Sequence, residues 1–135
     1  MFQIEYEVEE ADIEPRYKHV HHAHSLCLLE LCRLRLLDSV GYPNSSLLEQ
    51  GINLVIVRIE AQYKREVKTG KVTIVCDEAH LEEKSFFVMQ KILNQKGKVA
   101  VEARIEFKCM SSASKRAMEP PQAFIEAFLS GVENG

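Results

Sequence analysis

The sequence lacks the features that mark several common classes of protein. Positive charge is not in excess, because 17 Lys and Arg stand against 20 Asp and Glu, for a formal net charge of −3. Nucleic-acid binding as the main role is therefore disfavoured, since phosphate binding needs a concentrated basic face. No apolar run reaches the roughly 18 residues of a membrane-spanning helix. The N-terminus has no basic region followed by an apolar stretch, so a signal peptide is not expected.

Internal repeats, low-complexity tracts and linkers are also missing. The 135 residues suit one domain and are too few for two ordinary ones. Apolar residues make up 46% and charged residues 27%, which is typical of a soluble globular protein. We therefore predict a single domain that spans residues 1–135.

Cysteine is scarce, and none of the 4 cysteines forms a Cys-x-x-Cys pair. Cys27, Cys32, Cys76 and Cys109 each lie within an apolar pattern, where a free cysteine behaves as a small hydrophobe. A disulfide framework and a cysteine-based zinc site are therefore not expected. We predict four reduced cysteines packed in the core of a cytoplasmic protein.

The strongest apolar pattern is helical and runs from Ala23 to Val40. Leucines and two cysteines lie almost all around this segment, which predicts a buried helix rather than one laid on a surface. Gly41 then supplies the usual C-terminal stop. The segment Ser46–Glu49 has the pattern of a capping box, and predicts a short second helix that ends at Gly51.

Strand patterns flank this helix on both sides. Apolar residues alternate with glutamates from Ile4 to Glu9, which predicts an N-terminal strand, and residues 10–21 are predicted to form a loop. Four more strands are predicted over 52–63, 71–81, 85–93 and 98–109. In the last of these, apolar and charged residues alternate, which indicates an antiparallel sheet with one solvent-facing surface. Pro120-Pro121 can open a final short helix that ends at Gly131.

The order of elements limits the architecture. One long apolar helix and one antiparallel sheet must cover each other, and a sheet curled around a central helix achieves this. Both the hot-dog fold and a cystatin-like or nuclear-transport-factor-like cone have this form, and the pattern alone leaves both open. One small sheet leaves exposed edges, so we predict an obligate homodimer, or a dimer of dimers.

The start of the central helix resembles a known family. The stretch His22-Ala23-His24-Ser25-Leu26-Cys27-Leu28-Leu29-Glu30 is similar to the start of the central helix in the 4-hydroxybenzoyl-CoA thioesterase family. There the pattern is often His-Ala-Asn-Tyr-Leu, then three residues and Glu, and four residues match in register: His22, Ala23, Leu26 and Glu30. The resemblance implies an α+β hot-dog fold, with a long central helix wrapped by a curved antiparallel sheet.

Further along the chain, other segments carry the same resemblance. Tyr63 followed by Thr69-Gly70 resembles the family's Tyr-to-Gly segment, and Lys84-Ser85-Phe86 resembles the turn into the fourth strand. The sequence also departs from the family. The family usually has Asp-x-x-Gly before the central helix, and here the Asp falls on Pro15 and the Gly on Lys18. The family's Pro after the Tyr is Glu66.

The resemblance implies hydrolysis of an acyl-CoA or acyl-carrier-protein thioester, without a metal or cofactor. It implies a catalytic role for Glu30 and His22, with Glu14 as a substitute for the displaced Asp. The substrate-binding residues that it implies are Ala23, His24, Tyr63, Thr69, Gly70, Lys84 and Ser85. Two other functions stay open: an acyl-thioester-binding or regulatory hot-dog protein without catalysis, and a cone-shaped binding or dimerisation module.

Glu30 and the helix N-terminus are the chemically informative features. A carboxylate within an apolar helix surface loses hydration, and such groups are candidates for a general base or nucleophile. The alternative is a structural ion pair with Arg33, three residues along the helix. No Ser, Thr, Asp or Asn lies between Lys18 and His22 to cap the helix, so its free N–H groups can polarise a thioester carbonyl. The alternative is capping by water or by a histidine ring.

Two clusters of positive or titratable side chains remain. Four of the 5 histidines lie between His19 and His24, but no carboxylate or cysteine accompanies them at a familiar spacing, so no metal site is predicted. Four basic residues surround the turn after the second strand of the sheet: Lys64, Arg65, Lys68 and Lys71. They suit the phosphates of CoA, and the alternative is a solvated hairpin.

Overall fold

A five-stranded antiparallel sheet curls around one long helix in the computed structural model, which describes residues 1–135. The elements in chain order are β1 (Phe2–Val8), β2 (Ile13–Glu14), β3 (His19–Val20), α1 (His22–Ser39), α2 (Asn44–Glu49), β4 (Ile52–Tyr63), β5 (Gly70–Glu82), β6 (Ser85–Leu93), β7 (Val99–Ser111) and α3 (Gln122–Asn134). The strand order in the sheet is β1-β5-β6-β7-β4. This is the predicted hot-dog fold, with α1 as the central helix.

The strands pair in a continuous antiparallel ladder. Tyr63 opposes Val101 at one end of the sheet, and Ser85 opposes Lys108 towards the other. The register shifts once in β4, between Ile56 and Arg58, and once in β5, between Cys76 and Glu78. Such bulges bend a strand and increase its twist, which helps the sheet to curl around α1.

The helix α1 is buried along one face only, in contrast to the prediction of a helix buried nearly all around. Leu29, Cys32 and Leu36 are fully buried against the sheet, whereas Cys27 and Glu30 are exposed. The apolar residues on the outer face are not covered by any other part of the same chain. The prediction that Cys27 is a core residue is therefore wrong for the single chain.

The other three cysteines are buried, as predicted, and all four are free. The Sγ atoms of Cys32 and Cys76 lie 3.8 Å apart where α1 crosses β5. The hydrogen bond with Cys32, together with burial, raises the pKa of the Cys76 thiol far above its ordinary value. Burial raises the pKa of Cys109 to about 11. These thiols are packed and protonated, which makes them poor nucleophiles.

Two local predictions before β4 need correction. The segment predicted as a loop contains the hairpin formed by β2 and β3. The helix α2 begins after Pro43, without a side-chain cap, so the capping box at Ser46 is wrong. The fixed φ of proline suits a helix start, and it places Ser46 inside the helix.

The helix α3 is longer than predicted, because it continues through Gly131 to Asn134. A Cβ atom at Gly131 would meet the side chains of Val40 and Leu36, so this glycine allows α3 to pass close to α1. It therefore serves packing rather than termination. None of the three helices has the length and apolarity needed to cross a membrane.

Candidate active site

An open cavity of about 630 Å³ lies in front of the N-terminus of α1. The hairpin of β2 and β3, the first turn of α1 and the chain that follows β4 form its walls. His22 and Ser25 line it from the helix, and Tyr63, Lys64 and Arg65 line it from the end of β4 and beyond. The cavity thus combines a helix N-terminus, aromatic rings and positive side chains.

The N-terminus of α1 is capped by a histidine ring. His21 precedes the helix in an extended conformation, and its Nδ1 accepts a hydrogen bond of 3.0 Å from the N–H of Ala23. The prediction of a free N–H at Ala23 is therefore wrong. The N–H groups of His22 and His24 have no acceptor within the chain, and they keep the capacity to bind a carbonyl oxygen.

Tyr63 ties the end of β4 to this helix terminus. Its hydroxyl donates to the backbone oxygen of His22 over 3.0 Å, and its ring meets the His22 ring edge to face at 6.2 Å. Burial raises the pKa of Tyr63, so the hydroxyl stays protonated as a donor. Two of the predicted site residues, His22 and Tyr63, therefore lie together. Ser25 lies beside them, 2% exposed, and its hydroxyl has no partner in the chain.

The positive side chains near the cavity are mostly engaged with the protein. Lys64 Nζ lies 2.7 Å from Glu102, and Arg65 donates to the backbone oxygen of Val99 over 2.6 Å. Lys68 and Lys71 lie 3.9 Å and 3.5 Å from Glu66 and Glu5, respectively. These pairs are exposed and thus weak, so the lysines can exchange their partner for a phosphate.

Glu14 is held by a neighbour in the β2–β3 hairpin. Its Oε1 accepts from Arg16 Nε over 2.8 Å, and this hydrogen bond lowers the pKa of the Glu14 carboxyl. Lys18, at the position that corresponds to the family's Gly, has a φ of 62°. The hairpin therefore keeps a left-handed residue there, although the residue is not glycine.

Asp12 is a residue of the site region that sequence reasoning missed. Its carboxylate accepts from the Tyr6 hydroxyl at 3.0 Å and from the Glu9 N–H at 2.9 Å, and it lies 2.8 Å from His24 Nε2. Burial opposes ionisation, but these hydrogen bonds outweigh it and lower the pKa of Asp12. The His24 side chain is therefore turned towards Asp12 and does not line the cavity. Asp12 lies in an aperiodic stretch, so no sequence signal indicated it.

Glu30 lies two turns further along α1, on the outer face of the helix. It is exposed, and no Lys, Arg or His nitrogen lies within 4.0 Å of its carboxylate. The alternative of an ion pair with Arg33 is therefore wrong. The prediction that Glu30 is buried within one chain is wrong as well. A cleft of about 90 Å³ opens beside Glu30, between α1 and the strands β4 and β7.

Four predicted substrate-binding residues lie away from the cavity. The backbone oxygen of Thr69 accepts a hydrogen bond from the Gln95 side chain, and Gly70 pairs with Val8 in the sheet. Lys84 is exposed in the turn between β5 and β6, and the Ser85 hydroxyl donates to Glu106 over 2.8 Å. Because Ser85 opposes Lys108 and Tyr63 opposes Val101, about 23 Å of strand separates them. One chain thus brings together only part of the predicted set.

Comparison with known proteins identifies the family. Residues 8–128 match the sequence profile of the thioesterase-like superfamily. The chain belongs to this superfamily. Among curated protein sequences there is no significant match. No cluster of three or more His, Cys, Asp or Glu side chains could hold a metal ion in this superfamily member.

Solved structures that include a thioesterase and a probable thioesterase have the same fold. YbaW, a probable thioesterase from Escherichia coli, is 25% identical over 98% of this chain and 99% of its own, with a TM-score of 0.80. A 1,4-dihydroxy-2-naphthoyl-CoA thioesterase from Synechocystis is 15% identical over 94% of each chain, with a TM-score of 0.86. A Staphylococcus aureus protein solved in complex with CoA is 16% identical over 98% of this chain and 84% of its own, with a TM-score of 0.84. The hot-dog fold predicted from the sequence is thereby confirmed, and the cone alternative is excluded.

Proposed function

We propose that this protein hydrolyses acyl-CoA thioesters. Membership of the thioesterase-like superfamily is the observation that carries the proposal. The site described above supports it, because a helix N-terminus with two free N–H groups and an unpaired carboxylate are the groups that this reaction needs.

The two groups act together only if two chains meet. Glu30 follows His22 by eight residues, so about 12 Å of helix separates them within one chain. A thioester carbonyl cannot contact both over that distance. The outer face of α1 carries Ala23, Cys27 and Leu34 beside Glu30, all exposed. We infer that this face packs on a second copy, which brings Glu30 of one chain to the helix N-terminus of the other.

The reaction follows from these groups. Glu30 takes a proton from a water molecule, and the water oxygen attacks the thioester carbon. The N–H groups of His22 and His24, together with the dipole of α1, stabilise the negative oxygen of the tetrahedral intermediate. The intermediate then expels the CoA thiolate, and the thiolate takes up the proton that Glu30 removed from water, which regenerates the Glu30 carboxylate. The products are one carboxylic acid and one free thiol.

Roles for other predicted residues follow from their positions. The His22 ring and Tyr63 form a wall of the cavity. Ala23 is exposed beside His22 in the first turn of α1, where its small side chain would not obstruct the thioester. Lys64 and Arg65 lie at the same cavity, where they can bind the phosphates of CoA. The CoA bound to the Staphylococcus aureus relative supports CoA over a carrier protein as the thiol part of the substrate.

A second function is a non-catalytic acyl-thioester-binding protein. This function is favoured by Pro15, which occupies the position of the family's Asp. A proline side chain cannot act as a general base. Glu14 is one position away, but its pairing with Arg16 and its lowered pKa weaken it as a base. Catalysis therefore depends on Glu30.

The test is hydrolysis of a panel of acyl-CoAs by the wild type and by Glu30→Gln. If Glu30 is the base, turnover falls at least about a hundredfold while substrate binding is kept, since general-base catalysis contributes about 10² to 10⁴. Asp38→Asn is the matched control, because Asp38 is an exposed acid on the same helix. Tight binding of acyl-CoA without turnover by the wild type would instead support the non-catalytic function.

A further inference from the structure

The cleft beside Glu30 has apolar walls and one buried cation. Leu37 lines it from α1, Leu54 and Ile56 from β4, Phe107 from β7 and Phe128 from α3. Arg33 also lines it and is only 9% exposed. An apolar cleft with a few fixed polar groups is the usual form of a small-molecule site.

The Arg33 guanidinium contacts no carboxylate within the chain, and Glu30, which lines the same cleft, attracts it only at longer range. No carboxylate oxygen lies within 4.0 Å of it, and its single hydrogen bond runs from Nη1 to Gln90 Oε1 over 2.8 Å. A guanidinium carries five N–H donors, so most of them are unused. No fully buried side-chain nitrogen lacks a partner, so the unused guanidinium nitrogens keep some exposure, and Arg33 is one of the residues that line the cleft. A buried arginine that contacts no carboxylate is rare in proteins.

The protein holds this guanidinium in a fixed place. Gln90 is fully buried, and its Nε2 donates to the backbone oxygen of Leu29 over 3.0 Å. The amide oxygen of Gln90 is thereby turned towards Arg33. Two elements, α1 and β6, thus position one cation beside an apolar cleft. An arginine with only a packing role would not require a buried glutamine to orient its guanidinium.

The position of Arg33 relative to Glu30 limits the size of a ligand. The two residues are three positions apart on α1, so about 4.5 Å of helix separates them. The cleft volume of about 90 Å³ is small. A thioester carbon placed at Glu30 would therefore direct a short acyl chain along the cleft towards the guanidinium.

We propose that this cleft binds the acyl part of the substrate and that Arg33 selects short acyl groups that end in an oxygen acceptor, such as a carboxylate or a carbonyl. The inference rests on the proposed hydrolase function for the direction of the acyl chain. The Arg33 guanidinium donates hydrogen bonds, and the terminal methyl group of a simple acyl chain cannot accept them. An acyl group with a methyl end would leave the buried guanidinium unpaired, which a site built for hydrogen bonding disfavours strongly.

The test compares three acyl-CoAs of similar length: glutaryl-CoA, 4-oxopentanoyl-CoA and pentanoyl-CoA. The wild type should hydrolyse at least one of the two oxygen-bearing substrates with a kcat/KM at least about tenfold above that for pentanoyl-CoA. The Arg33→Gln variant should lose this preference, so that its kcat/KM for the oxygen-bearing substrate falls at least about tenfold relative to its kcat/KM for pentanoyl-CoA. Arg35→Gln is the control, because Arg35 is exposed on the same helix. The preferred substrate also tells whether the acceptor is charged or neutral.

A binding measurement separates this inference from the proposed function. Calorimetry with the thioether analogues S-(4-carboxybutyl)-CoA, S-(4-oxopentyl)-CoA and S-pentyl-CoA needs no hydrolysis, and only the first two carry an oxygen acceptor at the far end of the chain. If no thioester is cleaved but an oxygen-bearing analogue binds the wild type more tightly than S-pentyl-CoA, and Arg33→Gln loses this difference, the hydrolase function fails and the inference stands. If the wild type binds all three probes with the same affinity, the inference is wrong. A structure of the assembled protein in which a carboxylate of the second chain pairs with Arg33 also overturns the inference.

Discussion

Asp12 and Arg33 show two opposite environments for a charged side chain with little exposure. Three donors surround the Asp12 carboxylate, from Tyr6, Glu9 and His24. Arg33 has one neutral acceptor, Gln90. A fully bonded charge stabilises the fold, whereas an underbonded one is retained at a cost and suggests a ligand. At the scale of single residues, the number of partners therefore separates structural charges from functional ones.

Asp12→Asn should destabilise the protein at neutral pH and make it less sensitive to acid. The pKa of Asp12 is lower in the folded chain than its ordinary value of 3.8, so the Asp12 charge contributes its full stabilisation at pH values above 3.8. This stabilisation is lost progressively as the pH falls from about 4 to below the pKa of the folded state. We expect a loss of about 1.5–3 kcal/mol in the free energy of unfolding at pH 7, the range for a hydrogen bond to a charged group.

Urea unfolding of both proteins at pH 7 and pH 3 measures this effect. The difference between wild type and Asp12→Asn should shrink at the lower pH. Asp38→Asn, an exposed acid on α1, serves as control and should change little at either pH. A difference that stays constant between the two pH values would show that the Asp12 charge does not stabilise the fold.

At the scale of elements, the contact between α1 and α3 depends on a missing side chain. A Cβ atom at Gly131 would lie 2.5 Å from Val40 Cγ1 and 3.0 Å from Leu36 Cδ1. Val40 is β-branched and thus stiff, so it cannot easily move aside. Gly131 is therefore a packing residue within α3, although its type suggests a helix end.

Gly131→Ala should destabilise the protein in spite of the better helix propensity of alanine. Alanine gains about 1 kcal/mol over glycine within a helix, while overpacking costs about 1–3 kcal/mol. We expect a net loss of about 1 kcal/mol in the free energy of unfolding. Val40→Ala should relieve the contact, so the double variant should be more stable than the sum of the single effects predicts. Strict additivity in urea unfolding would refute the steric explanation.

At the scale of the whole molecule, an uncovered surface indicates a partner of the same kind. The outer face of α1 exposes Cys27 and Leu34, and the edge strand β4 exposes Ile56 and Val57. A second copy would cover the helix face and pair the strand edge. The homodimer, or dimer of dimers, stays a prediction.

Leu34→Arg should disrupt the assembly and reduce thioester hydrolysis together. A charged side chain in the middle of the α1 face would be buried without a partner. Light scattering at micromolar concentration should show a dimer or larger for the wild type and a monomer for this variant. The Cys27 thiol should react faster with a thiol reagent in the variant. Leu48→Arg, on the exposed side of α2, is the control, and a wild-type monomer would contradict the prediction.

Much of the fold could be predicted from the sequence because its signals are local. Alternation in β7 and the apolar repeat in α1 follow from the geometry of single elements, and both were predicted within a few residues. The matched residues of the central helix then favoured the hot-dog fold over the cone. The predicted end of α3 at Gly131 was wrong, because the sequence alone does not distinguish a glycine at a helix crossing from a glycine at a helix end.

The site was only partly predictable, because its charges acquire their meaning from residues distant in the chain. His22, Tyr63 and Glu30 were identified by resemblance. The catalytic roles of His22 and Glu30 and the substrate-binding role of Tyr63 stay predictions. Asp12 with His24 and Arg33 with Gln90 are pairs separated by 12 and 57 positions, and no local pattern connects them. The amino-acid sequence by itself determined the elements and the family, since these depend on periodicity and short motifs. Only the tertiary structure decided which charges are satisfied, because burial and hydrogen-bond partners arise when distant segments pack together.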